Sequence, residues 1–431
     1  MDQQRRRVLS WAFFDWANSA FATVVMAGFF PLFFKRYWAG ELAATDSTFW
    51  LGAVNSAASL IIVVFAPLLG AVADQAGAKK RFLIGFTVLG VLMSGGLFWL
   101  AQGQWGMALA IYLLGILGFS GSNIFYDALL VDVAPSGSYE RTSALGYALG
   151  YLGGGLLFAF DVLMTLFPSW FGLADSAAAV RASFLSVAIW WALFAVPVAL
   201  WVPEGPRLGG PGLGTVIRGA LRQLADTLSH IRRLPMTFLF LLAYWFYIDG
   251  VDTIVRMAVD YGLAIGLDAS SLMVALLVTQ FIGFPAALVF GRLGERWGAK
   301  RSILLAIGIY LLVVLAAARM ETVTEFYLLA VAIGLVQGGI QALSRAVFAG
   351  LIPTGHTAEF FAFFNMVGKF AAVLGPILVG VTAALTGDSR LSLATLVILF
   401  FIGAALLLRV DLQAGRTAVE AFDAEARRRM R

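Results

Sequence analysis

Residues 70–81 read GAVADQAGAKKR, and residues 291–301 read GRLGERWGAKR. In each segment an acidic residue stands four positions after the first glycine, a second glycine stands seven positions after it, and alanine and basic residues follow. A second match supports the first, because a glycine follows 15 residues after Pro135 and again 15 residues after Pro353. Two matches in the same order along the chain indicate an internal repeat, which predicts a chain built from two related halves.

The composition places both halves in a membrane. Of the 431 residues, 61% are hydrophobic and 13% are charged, whereas soluble domains carry roughly 25% charged residues. Uncharged runs of about 20 residues recur along the chain, and runs of that length cross a hydrocarbon core of about 30 Å as helices. We predict twelve membrane spans, near residues 10–36, 48–73, 82–101, 105–131, 142–167, 181–202, 236–262, 270–292, 302–320, 325–350, 358–385 and 390–409.

The Lys and Arg residues indicate how the spans are oriented. The amino terminus, every second loop and the carboxyl tail hold 22 of the 30, and the alternate loops hold five. This bias predicts a multi-pass protein of the inner or plasma membrane with both termini in the cytoplasm. The predicted domains are a six-helix bundle at 1–202, a cytoplasmic linker with an amphipathic helix at 203–235, a second six-helix bundle at 236–410 and a cytoplasmic tail at 411–431.

Several classes of function lack their sequence signatures. The chain has no cysteine and only His230 and His356 as histidines, which excludes disulfides, thiol nucleophiles and Cys/His metal clusters. No GxxxxGK[ST] phosphate-binding loop occurs, so the chain is not predicted to hydrolyse nucleotides. No DD, HxxxxD or HExxH pattern supports a membrane enzyme. We therefore expect no enzymatic activity, no cofactor, no metal and no nucleic-acid partner, and a protein that works as a monomer among membrane lipids.

The segment at 70–81 resembles the cytoplasmic loop signature of the major facilitator superfamily. The resemblance covers the whole chain, since the twelve spans and the central loop also agree. It implies an all-α membrane protein of two pseudo-symmetric six-helix bundles, and gating roles for Gly70, Asp74, Gly77, Lys80 and Arg81. In the second copy the matching residues are Gly291, Glu295, Gly298 and Arg301, with glutamate in place of aspartate and Trp297 inserted.

Further segments are similar to one family within that superfamily. They are DWANSAFATVV at 15–25, FYDALLVDVAP at 125–135, DGVDTIVRMAVDYG at 249–262, QGGIQALSRAVFAGLIP at 337–353 and GKFAAVLGP at 368–376. Together they resemble the "unknown major facilitator" family, which includes the autophagy-related vacuolar amino-acid effluxer and many bacterial permeases. One departure is Asp127, where many relatives are expected to carry asparagine. The resemblance implies transport of amino acids or similar metabolites.

Polar residues inside membrane spans are costly, and they usually face a cavity or a partner. Asp15 and Asn18 share one face of the first span with Ser19, and Asp127 shares a face of the fourth with Asn123. Asp15 is a candidate solute or ion ligand, with a structural contact to Arg5, Arg6 and Arg7 as the alternative. For Asp127, a role in the site and a structural role are equally favoured. Arg345, near the cytoplasmic end of span ten, is a candidate for binding an anionic solute group or for gating.

Two further predictions concern charges near the ends of helices. Asp132 lies toward the cytoplasmic end of span four, where we expect a salt bridge with Lys80 or Arg81 that supports the gate. Asp161 lies near the outer end of span five, and we expect it to be exposed.

In that same span Gly146, Gly150 and Gly154 recur at four-residue intervals, which predicts close packing against another helix.

Span seven carries a stripe of charge. Asp249, Asp252, Arg256 and Asp260 lie at positions i, i+3, i+7 and i+11, which places them within an arc of about 80° on one helix face. Lys369 lies too deep in span eleven to reach the interface easily, so it needs a carboxylate, water or an anionic solute. We predict pairs of Lys369 with Asp249 or Asp252, and of Arg256 with Asp252 or Asp260. The alternative is a structural ion network.

Taken together, these features predict a secondary active transporter of a small polar solute. Two like-oriented halves joined by a long loop are typical of carriers that work by alternating access. Protonation of an aspartate could release Lys369, which would couple transport, including efflux, to a proton. The alternatives are a lipid translocase and a receptor that transports nothing.

Overall fold

The structure is a computed structural model that describes residues 3–135, 137–205, 234–264, 269–320, 322–386 and 394–429. These residues form thirteen long helices in chain order. They are α1 (Gln3–Trp38), α2 (Ala44–Ala76), α3 (Lys79–Gly96), α4 (Trp105–Val133), α5 (Tyr139–Leu166), α6 (Ser176–Trp201), α7 (Pro235–Ala264), α8 (Ala269–Trp297), α9 (Ala299–Ala317), α10 (Val323–Ala349), α11 (Thr357–Thr386), α12 (Leu396–Arg409) and α13 (Leu412–Arg429). The predicted linker helix lies outside the described residues.

The helices identify a multi-span membrane protein. Within the described residues, ten helices are long and apolar enough to cross a membrane, and eleven if α12 and the start of α13, bent by 62°, count as one span. Each of the twelve predicted spans overlaps one of α1 to α12, but α12 has only 14 residues. The multi-span helical prediction is thus confirmed, and the exact number of twelve stays a prediction.

Local sequence explains several helix boundaries. α2 ends at Gly77, whose φ of 58° puts it in the left-handed conformation that a helix end favours. α6 begins where the carboxylate of Asp175 accepts a hydrogen bond from the backbone N–H of Ala178 at 2.7 Å. α10 begins with a capping box, in which Thr322 and Glu325 each bond the other's backbone N–H.

Helix α1 is wound irregularly in its second half. Residues Phe21–Phe29 and Phe34–Trp38 form π-helical turns around a short α-helical piece. Such turns are rare in proteins, and those that occur are often found at functional sites. Thr23 lies in the first π segment and contacts Gln280 in the second half of the chain.

Glycines of α5 allow the close packing that their spacing predicted. A Cβ atom at Gly150 would stand 2.6 Å from the Ser19 hydroxyl, and one at Gly154 would stand 2.7 Å from the Thr23 hydroxyl, so α1 lies directly against α5. α5 also packs against α8 and α10 of the second half, and α2 packs against α11. α5 is therefore a central element of contact between the two sequence halves.

Asp161 corrects one prediction. Instead of being exposed, it is fully buried, and its carboxylate accepts a hydrogen bond from the Ser186 hydroxyl, which lies 2.9 and 3.2 Å from the two carboxylate oxygens. Its position near the end of a predicted span suggested contact with water. Helix α6 packs against α5 and covers Asp161. The sequence of α5 alone does not show which helix packs beside it, so this burial was not predicted.

Candidate solute site and gate

Arg345 of α10 is held by residues of the first half. Its side chain is 2% exposed. Its Nη1 donates to Asp127 Oδ1 of α4 at 2.9 Å, while its Nε and Nη2 donate to the Ser143 hydroxyl and carbonyl of α5 at 2.8 and 2.9 Å. Asp15 Oδ2 of α1 lies 3.9 Å from the same Nη1. One guanidinium therefore joins α10 to three helices of the other half.

Aromatic rings complete the surroundings of this guanidinium. The Arg345 Cζ atom lies 4.3 Å from the ring centroid of Tyr147, 5.0 Å from that of Trp11 and 5.1 Å from that of Tyr126. Trp11 and Tyr126 stack on each other at 4.4 Å. The electron-rich ring faces attract a cation, so the aromatic shell stabilises the arginine that the carboxylates also bind.

The two carboxylates have partners of their own. Asp127 Oδ2 accepts a hydrogen bond at 3.0 Å from the side chain of Asn365 in α11. Asp15 accepts from the Ser19 hydroxyl at 3.2 Å and from the Tyr126 hydroxyl at 3.3 Å. We name Asp15, Asp127, Ser143, Arg345 and Asn365 the central network. It holds two carboxylates against one guanidinium.

The sequence singled out only part of this network. Asp15, Asp127 and Arg345 were predicted site residues, whereas Ser143 and Asn365 of the network and the neighbouring Tyr147 were not. Asn365 gave a usable signal, because it is a polar side chain inside a predicted span. Asp15 pairs with Arg345 rather than with the basic amino-terminal residues, of which Arg6 lies 4.2 Å from the ring centroid of Trp201. Asn18 donates to Asn123 at 2.6 Å and so joins α1 to α4.

The charged stripe of α7 is described in part. Asp249 is fully buried, and its Oδ1 accepts hydrogen bonds from the backbone N–H of Gly375 at 3.0 Å and from the Thr253 hydroxyl at 3.3 Å. Asp249 therefore joins α7 to α11. The side chains of Arg256, Asp260 and Lys369 lie outside the description, so their predicted pairs with Asp249 and Asp252 stay predictions.

A second contact between the halves lies where α2 meets the start of α11. Asp74 accepts hydrogen bonds from the backbone N–H groups of Ala358 at 3.1 Å and Glu359 at 2.9 Å. Lys79 donates to Asp132 at 2.8 Å and to the Thr357 hydroxyl at 2.6 Å. The positive end of a helix dipole stabilises a carboxylate there. We name Asp74, Lys79, Asp132 and residues 357–359 the latch.

The other predicted gating residues of the first copy surround the latch. A Cβ atom at Gly70 would stand 2.6 Å from the Ala358 carbonyl, so glycine allows α2 and α11 to approach. Lys80 donates to the carbonyls of Ala199 and Val202 at the end of α6, and Arg81 pairs with Glu204 at 3.7 Å. The expected partners of Asp132 were Lys80 or Arg81, but its partner is Lys79.

The second copy makes different contacts. A Cβ atom at Gly291 would stand 2.5 Å from the Ala144 Cβ of the first half. Glu295 is exposed, as is Arg301. Gly298 has a φ of 93°, and Lys300 donates to the carbonyls of Leu408 and Val410 at the end of α12, both at 2.7 Å.

A third polar contact joins the halves away from the latch. Gln280 of α8 donates to the Thr23 hydroxyl in the π segment of α1 at 2.6 Å. Gln280 also lines an apolar cavity of about 150 Å³ within the second half, together with Thr279 and Gln337. Among the described residues, no group of three His, Asp or Glu side chains could hold a metal ion.

Comparisons with known proteins agree on one class. A family model described as "Vacuole effluxer Atg22 like" matches residues 37–420. The chain is 40% identical over 400 residues to the uncharacterized MFS-type transporter YxiO of Bacillus subtilis, covering 92% of this chain and 93% of that protein. It is 29% identical over 311 residues to autophagy-related protein 22 of Cryptococcus neoformans, covering 68% of this chain and 54% of that protein.

Solved structures agree on the fold. The human organic anion transporter MFSD10 superposes with a TM-score of 0.68 at 16% identity, covering 94% of this chain and all of that one. The proton:xylose symporter XylE gives a TM-score of 0.68 at 14% identity and covers 94% of each chain. At these identities the likeness supports the major facilitator fold alone.

Proposed function

The chain belongs to the Atg22-like family of major facilitator transporters, and on that premise we propose that it moves a small polar solute, an amino acid or similar metabolite, by alternating access. The central network carries this proposal. Arg345 of the second half binds Asp127 and Ser143 of the first half in a buried, aromatic-lined position. A carrier must make and break contacts of this kind when its halves move.

The chemistry of the network favours a zwitterionic solute. A buried charge that loses its partner is costly, so Arg345 leaves Asp127 readily only when another anion replaces it. A solute carboxylate can bind the guanidinium, and a solute ammonium can bind Asp127 or Asp15. An α-amino acid carries both groups on one carbon atom. The aromatic faces of Tyr147 and Trp11 suit the ammonium as well.

Proton coupling is proposed on the same basis. Protonation of Asp127 or Asp15 removes a negative charge facing Arg345 and weakens the contact between the halves. The α7 residues Asp249 and Asp252, with Arg256 and Lys369, are proposed as a second charged region that a proton or the solute reaches. Both termini are proposed to lie in the cytoplasm, which puts the latch on the cytoplasmic side.

The first experiment identifies the solute. Purified protein is screened for ligand-induced thermal stabilisation with amino acids, sugars, nucleosides and organic acids, and positive solutes are tested by radiolabelled counterflow in proteoliposomes. We expect amino acids to stabilise the protein and to exchange. A protein that flips fluorescent lipid without counterflow is instead a translocase. Solute binding without counterflow or lipid flipping points to a receptor.

The second experiment tests the network with Arg345→Gln and Asp127→Asn. We expect each to lower counterflow by about 100-fold, because losing one member of a buried charge pair costs roughly 3 kcal/mol. Asp175→Asn is the matched control, since it is the same change at an exposed helix cap where asparagine also serves. Wild-type counterflow in both network variants, with the control unchanged, contradicts this site. Asp249→Asn and Lys369→Ala then test the α7 region.

A further inference from the structure

The carboxyl-terminal helix α13 folds back against the end of the molecule that carries the latch. Val419 is 7% exposed, and the ring of Phe422 stands edge-on to His356 with ring centroids 6.3 Å apart. A Cβ atom at Gly415 would stand 2.6 Å from a Leu351 methyl group and 3.1 Å from the Met236 Cβ. α13 is therefore packed on the protein along several turns.

Asp423 binds the turn that leads into the latch. Its Oδ2 accepts hydrogen bonds from the Thr354 hydroxyl at 2.9 Å and from the Thr354 backbone N–H at 3.3 Å. Residues Thr354–His356 form a single helical turn, and α11 begins at the next residue. The three residues that follow this turn are the ones that Asp74 and Lys79 bind. The tail thus fixes one side of the turn while the first half binds the other.

The same helix also reaches the first half directly. Arg416 lies 3.8 Å from Glu140, at the start of α5. A Cβ atom at Gly350, at the end of α10, would stand 3.4 Å from Arg416 Nε. α13 consequently contacts elements of both sequence halves at the latch end.

We propose that α13 is a brace that holds the latch end of the transporter closed, and that His356 makes the hold of this brace depend on pH. Opening that end separates α2 from the start of α11, so it must break the Asp74 contacts. Residues 354–356 would have to follow α11. Asp423 and Phe422 resist that movement as long as α13 stays docked.

His356 stands where a proton strengthens the closed arrangement. Its Nδ1 lies 3.4 Å from Glu359 Oε2. Among the described residues, the charged groups around it are Glu359 on its own segment, Asp74 from α2 and Asp423 from α13, while Lys79 from α3 bonds the adjacent Thr357. Three of these four groups are acidic, so an imidazolium is favoured there.

The sign of the pH dependence follows from these neighbours. Burial lowers the pKa of His356, but the hydrogen bond with Glu359 and the charges of Glu359, Asp74 and Asp423 together raise the pKa above its ordinary value of 6.5. The closed end therefore binds the proton more tightly than a released end does. This stabilisation is complete below pH 6.5 and is lost as the pH rises through the raised pKa. Acid therefore favours closure.

The absence of native cysteine provides a direct test that needs no solute. Ala362 of α11 is fully buried against Ile62 and Ala66 of α2 and Ile124 of α4. In purified full-length protein in lipid nanodiscs, Ala362→Cys reacts with a maleimide only when this end opens. Each rate is divided by that of an exposed cysteine, Arg296→Cys, at the same pH, which removes the pH dependence of the thiol itself.

The variants in this background are Asp423→Asn and Thr354→Val, with Glu420→Gln as the matched control on an exposed position of the same helix. We expect Asp423→Asn to raise the normalised rate about threefold to tenfold, and the double variant to add little, because the two residues share their hydrogen bonds. The control should match wild type. Equal rates in Asp423→Asn and Glu420→Gln overturn the brace.

The pH arm uses His356→Gln, which keeps a polar side chain without the charge. The parent single-cysteine protein should label more slowly at pH 7 than at pH 8.5, whereas His356→Gln should label at one rate across that range. A slope that survives in His356→Gln overturns the role of His356. Because labelling reports on opening and not on transport, this result is separate from the fate of the proposed solute.

Discussion

The two copies of the glycine-rich loop make one contact in common. Lys80 and Lys300 each stand at the second position of their helix, α3 or α9. Lys80 donates to the last carbonyls of α6, and Lys300 donates to the last carbonyls of α12. A cation at the carboxyl end of a helix satisfies free carbonyls and opposes the negative end of the dipole. In both halves the loop therefore ties the third helix to the sixth.

The copies differ at the acid. Asp74 binds backbone N–H groups of α11 in the opposite half, whereas Glu295 is exposed. A Cβ atom at Gly294 would stand 3.2 Å from the side chain of Glu140, so an acid already occupies the helix start that Glu295 would have to bind. Two carboxylates at one helix start repel each other.

The turn itself is also shorter in the second copy. Two residues, Gly77 and Ala78, separate α2 from α3, whereas Gly298 alone separates α8 from α9. The extra residue of the first copy puts Lys79 ahead of the shared lysine, where it bonds Asp132 and Thr357. The repeat thus preserves the turn and the helix tie, while the latch between the halves is built on the first copy. At the second corner Glu140 pairs with Arg416 of α13 instead.

The largest effect expected from this comparison is that of Asp74→Asn. The change removes a charge that accepts two hydrogen bonds at a helix start, and charged hydrogen bonds contribute about 1.5 to 3 kcal/mol. We expect maleimide labelling of Ala362→Cys to rise about 10- to 100-fold and solute exchange to slow, with the protein still folded. Glu295→Gln is the control and should change neither. Equal effects of the two substitutions would show that both copies gate.

Substitution of the turn glycines should have a smaller effect, on stability, and here the second copy should be the more sensitive one. Gly298 has φ 93° and ψ 137°, a combination that essentially only glycine adopts, whereas Gly77 has φ 58° and ψ 39°, which other residues adopt at moderate cost. Gly298→Ala should destabilise the protein by about 2 to 3 kcal/mol and Gly77→Ala by about 1 kcal/mol. Thermal unfolding in detergent compares the two variants. A larger loss at Gly77 would mean that the shorter turn relaxes.

The sequence correctly predicted features that depend on hydrophobic periodicity, on glycine spacing and on the positions of charged residues. All twelve predicted spans overlap helices, and the close approach of α1 to α5 follows from the spacing of Gly150 and Gly154. Three of the five residues of the central network were predicted because a polar group inside a span is costly. Ser143 escaped because serine is common in membrane helices.

Other features depend on neighbours that one chain pattern does not specify. Lys79 rather than Lys80 binds Asp132, because the helix start at residue 79 rotates the two lysines to different sides. Asp161 is buried by α6, which its own helix pattern does not report. The tail was predicted only as cytoplasmic, yet residues 412–429 form a helix that, within the described part of the chain, contacts segments near residues 140, 236 and 350–356.

The smallest effect concerns the tie that both copies share, and it tests whether the copies are equivalent where their contacts are alike. Lys80→Met and Lys300→Met keep most of the side-chain length and remove the ammonium, leaving helix-end carbonyls without their donor. Because both lysines are half-buried, each change should destabilise the protein by about 1 kcal/mol and by similar amounts. Labelling of Ala362→Cys should stay near the parent rate, since among the described residues neither lysine bonds the opposite half. Thermal unfolding and labelling measured on the same samples separate stability from gating. A rise in labelling with Lys80→Met but not with Lys300→Met would extend the latch from Lys79 to Lys80.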